Sequence, residues 1–133
     1  MADDSSTIAQ APAAQKRSLR WGRVLIAAVL MEVALFAIAA CAYFLPNGQN
    51  LLLYVIPPAC LITSLYFGYW AARGAGNRFL LHGTLVGVVA AVVYIALTWR
   101  QTLPMAYVVS HFLKVIGAAA GGFIAQRRAG GAP

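Results

Sequence analysis

The chain predicts an all-α membrane protein, a bundle of four transmembrane helices with both termini cytoplasmic, and three observations predict it. Of its 133 residues 62% are hydrophobic and only 10% charged, where soluble domains run to about half and about a quarter; mean hydropathy is +0.75. The apolar residues gather into four runs of about 20 residues, the length that crosses hydrocarbon at about 1.5 Å per residue. The Lys and Arg residues collect at alternate ends of those runs. A net charge of +7 would point to nucleic acid in a soluble chain. Here the cations flank apolar runs, with no basic stripe interleaved with exposed aromatics. The expected partner is therefore the lipid bilayer and not nucleic acid.

Residues 1–20 are polar and rich in small residues, and read as a disordered cytoplasmic tail. The tail ends in a basic-aromatic edge of Lys16, Arg17, Arg20 and Arg23 around Trp21. The transmembrane domain follows over 21–128. Its first helix, about 21–45, is interrupted only by Glu32 and closed by Pro46-Asn47-Gly48. The basic region, the apolar stretch and Ile38-Ala39-Ala40-Cys41 together resemble a bacterial lipoprotein signal with a lipidated Cys41. Glu32 and the length of the stretch argue for an uncleaved span instead, and the intact mass separates the two.

The second helix, about 51–73, contains Pro57-Pro58. Two missing donors and two ring clashes predict a kink or a broken first turn near Ile56. A bend that fits the helix to its neighbours is favoured over a discontinuous helix exposing carbonyls to a substrate. A glycine-bearing loop, Arg73-Gly74-Ala75-Gly76-Asn77-Arg78, stops it. The third helix, about 79–99, carries Gly83 and Gly87 in a GxxxG, with Ala90, Ala91, Tyr94 and Thr98 on roughly the same face, a packing pattern. The fourth, about 103–126, has Thr102 as a cap and Pro104 in its permissive first turn, and residues 129–133 read as a loose tail.

Orientation follows from the cations. Four flank the first run, two (Arg73, Arg78) lie between the second and third helices, and two (Arg127, Arg128) close the fourth, against Arg100 alone on the opposite side. Cytoplasmic loops carry the excess of Lys and Arg.

Two charges stand where lipid would refuse them. Lys114 lies mid-way along the fourth run with His111 one turn away, and Glu32 is the only acid in any apolar run. On the fourth helix Tyr107, His111, Lys114, Ala118 and Gly121 share one face, widened by Ser110 and Gly117. Gly117-x-x-x-Gly121 and Ala118-x-x-x-Gly122 allow close approach on the same side, so this face points into the bundle. Counted from the inner edge, Glu32 lies about 12 Å deep and Lys114 about 17 Å, and side chains lean toward their own N-termini. A direct bridge within one subunit, the favoured arrangement, therefore needs tilt or an extended Lys114. Water or a hydroxyl of Tyr107, Ser110 or Tyr94 is the other way to link them.

Three roles compete. Glu32 and Lys114 neutralise each other and set helix packing; or the charges and glycine faces dock a second copy or another membrane protein; or Glu32, His111 and Lys114 line a polar path for proton- or cation-coupled transport. Packing and assembly rank above transport, and transport above catalysis. With Asp3 and Asp4 in the tail, Glu32 is the one carboxylate open to a folded site, and Ser64 and Ser110 lack His-acid support, so no enzyme is expected. Cys41 and Cys60 fall at different depths, with no CxxC or Cys/His cluster, so neither a disulfide, a metal nor a cofactor is expected.

The ends of the second and fourth helices share Gly-aromatic-x-Ala-x-Arg, in Gly68-Tyr69-Trp70-Ala71-Ala72-Arg73 and Gly122-Phe123-Ile124-Ala125-Gln126-Arg127. Two such ends make a parallel two-plus-two repeat about the membrane normal. The run from Gly68 through Arg73 to His82-Gly83 and Gly87, with Gly121-Gly122, resembles a family of uncharacterised four-helix bacterial membrane proteins. The resemblance covers the last three helices and implies a fold and a bacterial inner-membrane address, but no activity. Ala28-Val29-Leu30-Met31-Glu32-Val33 is similar to the first helix of small multidrug resistance transporters, four-helix proteins of similar length. That likeness implies competition between protons and a cationic drug for Glu32. Lys114 departs from it, since a cation beside the glutamate holds it ionised and competes with substrate. So does the one-sided charge bias, where a dual-topology exporter has near-balanced loops.

Overall fold

A computed structural model describes residues 19–76, 78–101 and 105–130. The chain is all-helical over them: α1 (Trp21–Tyr43), α2 (Gly48–Arg73), α3 (Phe79–Leu97) and α4 (Met105–Gly130), each long and apolar enough to cross a membrane. The tail expected over 1–20 lies outside the described residues up to 18, as do Thr102, Pro104 and 131–133.

The ends of the helices follow from local chemistry. α1 stops short of residue 45 because Asn47 turns the chain with φ 59°, a left-handed conformation that Asn tolerates. Gly48 then lands on the Ala42 and Tyr43 carbonyls, where no Cβ fits, and α2 begins three residues earlier than the apolar pattern predicts. That early start places Pro57 and Pro58 deeper in the helix than the apolar pattern does, which excludes a broken first turn there. They fall well inside α2 rather than in its first turn, and the helix runs unbroken through both. Proline φ is itself helical, so the helix continues although the Leu53 and Tyr54 carbonyls lose their donors and are crowded by the two rings. α3 ends at Leu97, where the Thr98 backbone leaves helical geometry (φ −108°) and its hydroxyl joins its amide on the Tyr94 carbonyl, at 2.9 and 3.0 Å. α4 continues past 126 to Gly130, so residues 129 and 130, expected in the loose tail, are helical.

Short connections make consecutive helices antiparallel. The α1–α2 and α3–α4 connections share one end, the turn face. The start of α1, the α2–α3 connection and the end of α4 share the other, the terminal face. α4 packs on α2 and α3, and α1 packs on the same two helices. α2 and α3 also touch, but α1 and α4 stand across the bundle with their backbones more than 8 Å apart.

The core is rich in alanines, with a few larger side chains among them. Val24, Ala27, Ala28, Met31 and Leu35 run down one face of α1 and meet Cys60, Ala71, Val86 and Ala90. Large apolar residues point outward instead: Ile62, Tyr66, Phe112 and Ile116 are each at least 60% exposed. An apolar exterior around an interior of alanine and glycine is the arrangement a hydrocarbon solvent favours, and water does not.

Candidate functional site

Two neighbouring stripes of α4 approach two different helices. A Cβ on Gly121 would lie 2.6 Å from the Tyr69 nitrogen and against the Leu65 carbonyl, and one on Gly117 would strike Leu61 and Ser64, so this stripe faces α2. Ala118 and Gly122 form the next stripe. Gly83 and Gly87 of α3 meet it at Ala118, Val115 and Gly122, with no space for a Cβ. Gly68 of α2 also rests on the Ala118 backbone. With no side chains between them, the three backbones come into van der Waals contact toward the terminal face.

Toward the turn face the same helix carries Tyr107, Ser110, His111 and Lys114. Lys114 Nζ donates to Glu32 Oε1 at 2.7 Å, with the two residues only 2% and 5% exposed. The bridge is direct, without water or a hydroxyl between. Because no Cα of α1 comes within 8 Å of one in α4, the methylene stem of Lys114 reaches across the diagonal of the bundle to the Glu32 side chain. It passes near Tyr94, whose ring centroid lies 4.8 Å from Nζ. Tyr94 in turn packs on His111 at 4.7 Å and on Phe36 at 6.4 Å.

These residues surround a partly open cavity of ≈ 150 Å³. Glu32, Lys114, His111, Ser110, Tyr107 and Tyr94, the six polar residues expected in the site, all line it. Ser110 is spent on its own helix, donating to the Ala106 carbonyl at 2.8 Å. Both ring nitrogens of His111 are buried without a partner. The rest of the wall is apolar, from Leu35, Phe36 and Ala39 of α1 and Ile56 and Cys60 of α2.

Cys60 escaped notice as a wall of this site, although a signal was present. Ile56, Cys60, Ser64 and Gly68 recur every four residues and are all buried, which marks the inward face of α2 despite the prolines. Pro57 and Pro58 sit beside that face and outside the cavity lining. Cys41 is exposed and Cys60 buried, and both are free.

A second cluster, at the terminal face, was also missed. His82, 2% exposed, accepts from the Arg20 amide at Nε2 (3.3 Å) and meets the Arg78 carbonyl with Nδ1 at 3.0 Å. Only the neutral tautomer protonated at Nδ1 satisfies both. Arg23 lies 4.9 Å over the Trp70 ring, donates to the Trp70 carbonyl at 3.1 Å and fills the space left by Gly74. Position near a basic edge was the available sign; a lone His one turn into a helix does not reveal which neighbour it joins.

Among the described residues no group of three or more His, Cys, Asp or Glu is placed to hold a metal ion. No family model, curated protein or solved structure matches the chain.

Proposed function

We propose that this chain is a multi-pass protein of a bacterial inner membrane, with both termini cytoplasmic, and that its role is non-enzymatic packing or assembly. In this reading the glycine faces and the Glu32–Lys114 pair set how its helices, and a second copy or another membrane protein, come together. The observation that carries it is the closed pair itself: each buried charge is spent on the other at 2.7 Å. Isolated, each would cost about 2.5–3.5 kcal/mol at the centre of a span.

The sidedness rests on Arg20, Arg23, Arg73, Arg78, Arg127 and Arg128 at the terminal face, opposed by Arg100 at the turn face. The bacterial address rests on the resemblance of the last three helices. Catalysis has little support, because Glu32 is the one carboxylate among the described residues and is already neutralised. The hydroxyls of Ser64 and Ser110 donate to helix carbonyls rather than to a base.

The decisive experiment compares unfolding in detergent of Glu32→Gln with that of Glu32→Gln/Lys114→Met. A structural pair predicts a large loss in the first and recovery of most of it in the second. A double variant no more stable than the single one removes the pair from the account.

The cavity favours one further reading, a small proton- or cation-coupled transporter using Glu32, His111 and Lys114, since one cavity adjoins all three. Its cation must displace Lys114 from Glu32. Proteoliposomes should then show proton or cation flux that Glu32→Gln abolishes while the fold survives; absence of flux across a broad cation panel counts against it.

A further inference from the structure

The cavity beside the ion pair holds hydrogen-bonding capacity that the protein leaves unspent. Both nitrogens of His111 are buried and no protein group pairs with either, whereas buried polar groups nearly always have a partner in protein, water or ligand. An ammonium has three donors, and Lys114 gives one to Glu32. Tyr94 and Tyr107 add phenols to the lining, opposite the apolar surface of Phe36 and Ala39. The volume, ≈ 150 Å³, equals that of an engineered core cavity that takes up benzene.

Charge narrows the occupant. The carboxylate and ammonium already cancel, so a bound cation would face Lys114 and a bound anion Glu32, each adding an unpaired charge in a poorly solvated space. A neutral molecule adds none. Most of the cavity wall is apolar, from Leu35, Phe36, Ala39, Ile56 and Cys60, so the occupant must also have an apolar body that dissolves in lipid. The donors of Lys114, the phenols and one His111 nitrogen call for acceptor atoms on its rim.

We propose that this cavity binds an uncharged, lipid-soluble, single-ring molecule bearing hydrogen-bond acceptors, of the aryl ketone or quinone-headgroup type. This goes beyond the assembly role and does not depend on it. The test uses full-length protein in detergent micelles and three probes alike in ring size: acetophenone, benzoate and benzylammonium. Binding is read by saturation-transfer NMR against empty micelles.

Acetophenone should bind at least about tenfold tighter than either ion, reflecting the cost of a third charge. Ala39→Phe, which fills the cavity from α1, should abolish binding. His111→Leu should weaken it by about tenfold, the loss of roughly one hydrogen bond. Equal binding of the three probes, no acetophenone signal above the micelle blank, or acetophenone binding that survives Ala39→Phe would each overturn the proposal. Should Ala39→Phe fail to fold, the charge series on the unaltered protein and the His111→Leu affinity decide it.

Discussion

The two halves of α4 solve the same problem in opposite ways. From Gly117 to Gly122 the helix presents almost no side chain, and its backbone rests directly on α2 and α3. From Tyr107 to Lys114 it presents long polar side chains, and a cavity opens beside it. In hydrocarbon there is little hydrophobic drive between helices, so association depends on close van der Waals contact and on polar groups that prefer each other to lipid. The glycine half uses the first, the polar half the second. The difference teaches that Lys114 does not clamp two touching helices. It crosses to α1, whose backbone stays more than 8 Å from that of α4, closing a gap that the glycine seams leave open.

The largest effect expected from breaking that contrast is Lys114→Met. It strands the Glu32 carboxylate in a cavity with no other cation, and removing one partner of a buried pair costs about 3–5 kcal/mol. SDS titration of the protein in mixed micelles measures it. A loss under about 1 kcal/mol, the scale of an exposed pair, would mean that water reaches Glu32 freely and that the polar half is not a closed site.

Gly121→Ala attacks the other half. Its Cβ would lie 2.6 Å from the Tyr69 nitrogen, and a backbone atom cannot rotate out of the way as a flexible side chain can. Overpacking of this kind costs about 1–3 kcal/mol. If the same titration showed Gly121→Ala as stable as the parent protein, the α2–α4 approach would have to be looser than described.

A smaller effect sharpens the picture at the terminal face. His82→Leu leaves the Arg20 amide without its acceptor and unties the start of α1 from α3. The expected loss is about 1 kcal/mol, the worth of an ordinary hydrogen bond. Hydrogen exchange at the Arg20 amide should rise in the variant. Unchanged protection there would assign that amide to another acceptor.

What sequence could reveal followed physical distance. Helix number, the inward face of α4 and the gathering of polar residues along it were legible, because apolar runs and i, i+4 spacing are local patterns. The pairing of Glu32 with Lys114 was within reach because only one acid stood in any apolar run. Its directness was not: depth counting along separate helices cannot see their tilt, and it set the two groups about 5 Å apart along the normal. The start of α2 was hidden because Asn47, a single left-handed residue, sets it and with it the place of both prolines in the helix. Which helix each glycine meets was hidden for a related reason. A stripe of small residues reports that something comes close, while the identity of that neighbour is fixed by how the connections fold.

The smallest prediction isolates this last point, since it makes the same chemical change where no neighbour exists. Gly22 lies in the first turn of α1, exposed, with nothing within 4 Å of where a Cβ would stand. Alanine is favoured over glycine in a helix by up to about 1 kcal/mol, and at Gly22 no clash opposes that preference. Gly22→Ala should therefore leave the protein as stable as before or slightly more so, while Gly121→Ala, carrying the identical propensity gain, should lose stability. Opposite signs from one substitution would separate backbone contact from intrinsic helix preference. Equal losses at both positions would show that glycine serves this chain through flexibility, and the close-packed half of α4 would need another explanation.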